Sequence, residues 1–167
     1  MKIAILSDIH DRLDYLALGL AAVSEEDAGR LFFLGDFCAP FSLKALAEGF
    51  GGPIDVVFGN NDGDVYLLSA MAAQYEHVTL HGIYAEPEVD GRRFALFHYP
   101  EVARRLAECG AFAAVFSGHD HQRYAHRIGS TLWANPGEVM GRDGAPSVGF
   151  YETSTAEFRH RILDGNP

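Results

Sequence analysis

A mixed α/β fold built on two β-sheets is the class this sequence predicts, and two observations predict it. Up to Tyr75, short apolar runs of strand composition alternate with stretches of helical spacing, the pattern of a parallel sheet with covering helices. From Val78 onward the runs are mostly strand-like, which predicts a second, mixed sheet packed against the first, with helices on the outer faces. The 167 residues suffice for one domain with a buried core, and residues 1–167 read as one, without repeats or linkers.

Residues 2–6 (Lys-Ile-Ala-Ile-Leu) are long enough for a buried strand and too short for a helix. Residues 13–23 carry Leu and Ala at helical spacing, with Asp11 as the expected cap. Residues 30–34 form the second strand, ending at Gly35-Asp36. Residues 42–50 form a short helix closed by Gly51-Gly52. The third strand, 54–58, ends at Gly59-Asn60-Asn61-Asp62, and 65–75 is again helical. Strands follow at 78–80, 83–89 and 92–97, with Asp90-Gly91 a hairpin turn between the last two. Residues 101–108 are a helix and 113–116 a buried strand ending at Gly118. The rest (124–128, 131–134, 147–151 and 157–162) reads as short strands joined by Gly, Pro and Asn turns.

An apolar share of 48% and a charged share of 22% are those of an ordinary soluble protein. No apolar run is long enough to span a bilayer. Met1 leads straight into the first strand with no signal-peptide pattern, and Cys38 and Cys109 make no disulfide framework, so a cytoplasmic protein with reduced thiols is expected. A net charge of −10 argues against a protein that grips long nucleic acid by its phosphates. The sequence carries no feature that sets an oligomeric state.

Five times an apolar run gives out into residues able to bind metal: Asp8 with His10, Asp36, Asn60, His98, and His119 with His121. Open α/β sheets build their sites at the carboxyl ends of strands, where all five fall. In an extended chain, residues two apart project to one side, so Asp8 and His10 are expected to reach a common point. Oxygen and imidazole ligands suit a divalent first-row metal. Two Asp, one Asn and four His exceed one open site and suit two cations about 3.5–4 Å apart, with Asp36 the natural bridge. His77, His81, His126 and His160 lack such a setting and read as surface or structural residues.

This series, with Asn135-Pro136-Gly137-Glu138 near the end, resembles the calcineurin-like metallophosphoesterases over nearly the whole chain. It is most similar to their small stand-alone phosphodiesterase branch of bacteria and archaea. The resemblance implies a four-layer αββα sandwich, two mixed β-sheets flanked by helices. It implies one metal on Asp8, His10 and His121, a second on Asn60, His98 and His119, and Asp36 bridging. Manganese is the first choice it implies, while the mixed nitrogen and oxygen set also admits iron, nickel or zinc. The implied activity is hydrolysis of small phosphodiesters by in-line attack of a hydroxide shared between the metals. Asn61 would help hold the phosphoryl oxygens, and Asp62 would orient its loop through backbone hydrogen bonds.

Four positions depart from the family pattern. Asn61 stands where many members have a His that protonates the leaving oxygen. An amide is no proton donor near neutral pH, which favours phosphodiesters over monoesters. Asp120 replaces the usual Thr, and is expected either to orient a ligand imidazole or to be a solvated acid. Tyr99-Pro100 replaces a frequent Gly, so that Phe37, Phe41 and Tyr99 make either an aromatic wall for a base or aryl group or ordinary packing. Cys38 is a soft ligand or, more plainly, a filler thiol. The alternatives to a diesterase are a phosphomonoesterase and a protein-interaction scaffold, the use to which the retromer subunit of this fold is put.

Overall fold

The computed structural model describes residues 1–164. The first sheet contains β1 (Lys2–Leu6), β2 (Arg30–Phe33), β3 (Ile54–Val56), β4 (Val78–Leu80), β11 (Ser147–Glu152) and β12 (Glu157–Ile162), in the order β12-β11-β1-β2-β3-β4. The second contains β5 (Tyr84–Ala85), β7 (Arg92–Phe97), β8 (Ala114–Phe116), β9 (Arg123–Ile128) and β10 (Thr131–Pro136), in the order β5-β7-β8-β10-β9, with β6 (Glu88–Val89) paired to β7. Helices α1 (Leu13–Glu25), α2 (Pro40–Gly49) and α3 (Val65–Ala72) cover the outer face of the first sheet, and α4 (Pro100–Glu108) covers the second. The predicted four-layer αββα arrangement is the one observed.

Strand alternation explains why the runs are apolar at consecutive positions. Ile3, Ile5, Phe32 and Leu34 face the second sheet, while Ala4, Leu6, Leu31 and Phe33 face the helices. Between the sheets, Phe32, Phe94, Phe116 and Tyr151 pack with ring centroids 5.3–6.2 Å apart. Burying each ring contributes about 1.5–3 kcal/mol, and this aromatic layer fixes one sheet against the other. A third apolar layer, with Ala95, Ala103, Ala107 and Val115, seats α4.

The structure differs from the sequence reading at several places. The last two strands leave the second half and return to the first sheet, where β11 runs antiparallel to β1 with Ile5 opposite Gly149. The run 83–89 divides into β5 and β6 around Pro87, which has no N–H to donate. Residues 57–58 continue past the β3 ladder, and α3 stops at Ala72. Asp11 does not cap α1, which has no side-chain cap. Its Oδ1 instead accepts the Ala39 N–H at 3.0 Å and the Ser42 hydroxyl at 2.7 Å, at the start of α2. Pro40 and Pro100 open α2 and α4 at positions where a missing N–H costs nothing.

Strands β1, β2 and β3 are parallel, as are β7 and β8, and the facing sheets bring the carboxyl ends of all five to one edge of the sandwich. Among the described residues no helix is long and apolar enough to cross a membrane.

Candidate metal centre

The loops leaving these strands are tied together by backbone hydrogen bonds. Asp8 N donates to Gly35 O, His10 N to Asp36 O, Asp11 N to Phe37 O and Gly118 N to His98 O, all at 3.0–3.1 Å. Asp8, His10, Asp36, His119 and His121 adopt positive φ, at 58°, 42°, 64°, 72° and 59°. Left-handed backbone is costly for such residues and persists where the surroundings over-determine it. Asp8 and His10 therefore do not converge as neighbours on an extended strand. A strained loop brings them together, with His10 Nε2 3.8 Å from Asp8 Oδ1.

Three groups have ligand atoms within 4.8 Å of one another: Asp8, His10 and His121; Asp8, Asp36 and His98; and His121, Glu138 and Asp143. Asp36 Oδ2 stands 3.4 Å from His10 Nε2 and 3.5 Å from His98 Nε2, between an imidazole of each expected set. Asn60 joins through Oδ1, 3.1 Å from His98 Nε2. His119 donates its backbone N–H to Asp8 Oδ2 at 3.1 Å, and its ring stands edge-on to His98 at 5.1 Å. Asp8 and Asp36 are buried. Burial opposes their charge, yet His10 and His121 outweigh it at Asp8, and His98 and Asn61 at Asp36, so both pKa values are lowered. Burial also opposes charge on His98, where Asp36 and Asp8 prevail and raise the pKa. Contact with Asp8, against a burial cost, pushes His121 up to about 9 with help from Asp143 and Glu138.

Asp8 Oδ1 and His10 Nε2 are buried with no hydrogen-bond partner among the described residues. His98 Nδ1 donates to Leu34 O at 2.6 Å, so Nε2 is the His98 nitrogen that faces Asn60 Oδ1 and Asp36 Oδ2. Carboxylate and amide oxygens thus converge with imidazole nitrogens, an arrangement that a cation among them satisfies. The donor set fits divalent metal ions.

Asp62 lies outside this cluster. Its carboxylate accepts the backbone N–H groups of Asp36 (3.1 Å), Phe37 (2.7 Å), Cys38 (3.3 Å) and Gly59 (2.7 Å), which locks the loop after β2 onto the loop after β3. Asn61 grips Asp36 twice, through its backbone N–H at 2.8 Å and its side-chain amide at 2.9 Å.

Among the described residues Asp120 orients no imidazole: its Oδ1 accepts Gln122 N within its own turn and Asn135 Nδ2 from β10. The imidazoles are held instead by Leu34 O at His98 and by Asp143 and Glu138 at His121 Nδ1, 2.9 and 3.0 Å away. Phe37 is fully buried and stacks on Phe33 at 3.8 Å, so it belongs to the core. Tyr99 is 37% exposed and stands edge-on to His119 at 4.8 Å, while Phe41 is exposed at the start of α2. Cys38 Sγ lies 3.5 Å from His10 Nδ1. Burial, with Asp11 and Asp36 nearby, pushes its thiol up to about 11, which keeps it neutral. Sequence reasoning missed Glu138 as a neighbour of His121, and Asp143 altogether. Glu138 closes the quoted Asn135-Pro136-Gly137-Glu138 series, and only that position in the series hinted at its role.

Comparison with known proteins bears on this geometry. The profile of the calcineurin-like phosphoesterase superfamily domain matches residues 1–156. A phosphodiesterase of Methanocaldococcus jannaschii is 28% identical over 167 residues, spanning 98% of this chain and 100% of that protein. A solved archaeal phosphodiesterase, also at 28% identity and with 98% and 100% coverage, superposes with a TM-score of 0.89. The phosphoesterase Yfce from E. coli shares the fold at 18% identity and a TM-score of 0.69, with 98% of this chain and 100% of that one covered.

Proposed function

The chain belongs to the calcineurin-like phosphoesterase superfamily, and from that premise we propose that it hydrolyses small phosphodiesters with two divalent metal ions, manganese first among them. The observation that carries the reading is the convergence of Asp8, His10, Asp36, His98 and His121 in one strained cluster, with Asp8 Oδ1 and His10 Nε2 buried and unpartnered among the described residues. The name of the M. jannaschii relative, a phosphodiesterase, supports the same activity.

In this reading Asp8, His10 and His121 hold one ion, Asn60, His98 and His119 the other, and Asp36 serves both. When bound, the ions supply an acidified water and positive charge against that of the phosphoryl group. The chain's own residues do the rest. Asn61 and Asp62 fix the Asp36 carboxylate from two sides, one at its oxygens and one at its backbone. The Asn61 amide spends one N–H on Asp36 and keeps a second for a phosphoryl oxygen. It gives no proton to a leaving group, which favours diesters over monoesters. The exposed Tyr99 ring beside His119 offers a surface to an aryl or base substituent. Two cations against the carboxylates of Asp8 and Asp36 would leave the site locally positive and draw small esters, while the net charge of −10 repels a long polyanion. The proposal extends to a single catalytic domain and, from the free Cys38 and Cys109, to a cytoplasmic setting.

A pure scaffold has no use for two buried carboxylates crowded by imidazoles, since buried charge is costly unless it serves a purpose. The test is a panel of mono- and diesters with Mn, Ni, Zn and Mg supplied separately to parent and Asp36→Asn protein. Diesters should outrun monoesters, and the variant should lose about 10²-fold or more in turnover with an unchanged circular dichroism spectrum. Parent-like turnover in Asp36→Asn, or monoesters as the better substrates, would overturn the reading.

A further inference from the structure

We propose that Glu138 is a positioning residue of the metal centre, fixing the ring of His121 through Nδ1 and delivering Asp143 to the same nitrogen. The proposal rests on His121 serving a metal, as above. Glu138 is only 1% exposed and follows Gly137, whose φ of 82° turns the chain inward. Its two oxygens have different tasks. Oε1 accepts the backbone N–H groups of Asp143 (2.6 Å) and Gly144 (2.8 Å), which pins the 141–145 loop. Oε2 makes no well-formed hydrogen bond among the described residues and stands 3.0 Å from His121 Nδ1.

The pinned loop places Asp143 Oδ2 2.9 Å from that nitrogen. On the other side of the ring, His121 Nε2 faces Asp8 Oδ1 at 3.5 Å. Two carboxylates at Nδ1 hold the Nδ1 proton on their side of the ring, so Nε2 is the nitrogen that a metal would engage. The turn is itself fastened to the Asp8 loop, because Val139 N donates to Ser7 O at 3.0 Å and Met140 N to Asp8 O at 3.1 Å. Glu138 therefore sits rigidly relative to Asp8, and His121 is held between them.

Glu138→Gln separates the two tasks. Its amide oxygen can still accept from the loop, while its NH₂ group sets a donor against the Nδ1–H. Mn²⁺ titration followed by electron paramagnetic resonance reads the sites apart, since a spin-coupled pair and an isolated ion give different spectra. The variant should bind one ion as the parent does and the other about 10–100-fold more weakly, so that isolated-ion signal appears at intermediate Mn²⁺. Metal-free Glu138→Gln should melt at the parent's temperature. Asp143→Asn, at a half-exposed side chain, should weaken the same site by less. Coupled pairs at parental Mn²⁺ concentrations in Glu138→Gln would overturn the proposal. Equal weakening of both sites with a lowered metal-free melting temperature would leave Glu138 a structural residue only. Failure of the parent to take up a second ion would overturn it as well. A parent that binds two ions yet cleaves no diester would sink the proposed activity and leave this assignment standing.

Discussion

Gly59 packs against the Asp36 carboxylate with no room for a side chain. A methyl group built on Gly59 would overlap Asp36 Oδ1 and lie 2.8 Å from both the Asp36 backbone nitrogen and His98 Cε1. The small residue lets the β2 and β3 loops close on each other, and Asp36 can lie between His10 and His98 only with that closure. Gly59→Ala should cost about 1–3 kcal/mol in stability through overpacking and, more tellingly, displace Asp36. Metal content of the purified variant, measured by mass spectrometry, should fall below that of the parent. A full metal complement would show that the loop yields without moving the ligands.

The proposed substrate surface at Tyr99 can be tested by ester type. Its ring is stacked edge-on against His119 and open to solvent, and aromatic pairing of that kind is worth about 0.5–1.5 kcal/mol. Tyr99→Ala should raise KM for an aryl diester by about 2–10-fold, with an alkyl diester unchanged and Tyr99→Phe close to the parent. Steady-state kinetics on the two ester types checks this, and equal effects on both would remove Tyr99 from substrate contact.

Acid sensitivity has a source away from the metal centre. Asp55, buried in β3, accepts Arg30 Nε at 2.7 Å and His81 Nε2 at 2.9 Å. Burial works to raise its pKa, but His81 and Arg30 prevail and hold it below the ordinary 3.8. A carboxylate whose folded pKa is depressed stabilises the fold above its unfolded pKa, and that contribution fades as pH falls through the folded value. Asp55→Asn should therefore cost about 2 kcal/mol at pH 7 and progressively less as the pH falls below 4 towards 3. Denaturant titrations at the two pH values measure the difference, and an equal cost at both would refute the assignment.

Metal removal should be visible in stability. Ions that bind only the folded chain stabilise it by about 2.7 kcal/mol at a hundred times their dissociation constant. For a chain of this size that corresponds to about 5–10 °C in melting temperature. Thermal melts with chelator and with added Mn²⁺ should differ by this much in the parent and hardly at all in Asp36→Asn. Indistinguishable melts in the parent would mean that the cluster binds the ion weakly or not at all.

Strands buried on both faces were legible because their alternate residues serve two apolar layers: Ile5 serves one and Leu6 the other. The candidate ligands were legible because each follows such a run. The conformation that brings them together was not. Positive φ at Asp8, His10 and His121 arises from cross-loop hydrogen bonds such as His10 N to Asp36 O, which join residues far apart in the chain. The same distance hid the partners of side chains. Asp11 met the start of α2 rather than that of α1, Asp120 met Asn135 rather than an imidazole, and Phe37 went to the core against Phe33. Glu138 and Asp143 matter because a turn near the end of the chain folds back onto the loop after β1, which no local pattern announces.

The antiparallel pairing of β1 with β11 sets a timetable. Lys2–Leu6 is made some 145 residues before its partner Ser147–Glu152, and the hydrogen bonds from Val139 and Met140 onto Ser7 and Asp8 come hardly sooner. Contacts of such long sequence separation form slowly because a large loop must close first. A nascent chain therefore carries Asp8 and His10 through the synthesis of the intervening residues without the enclosure that completes the proposed metal site, and that site assembles late in folding.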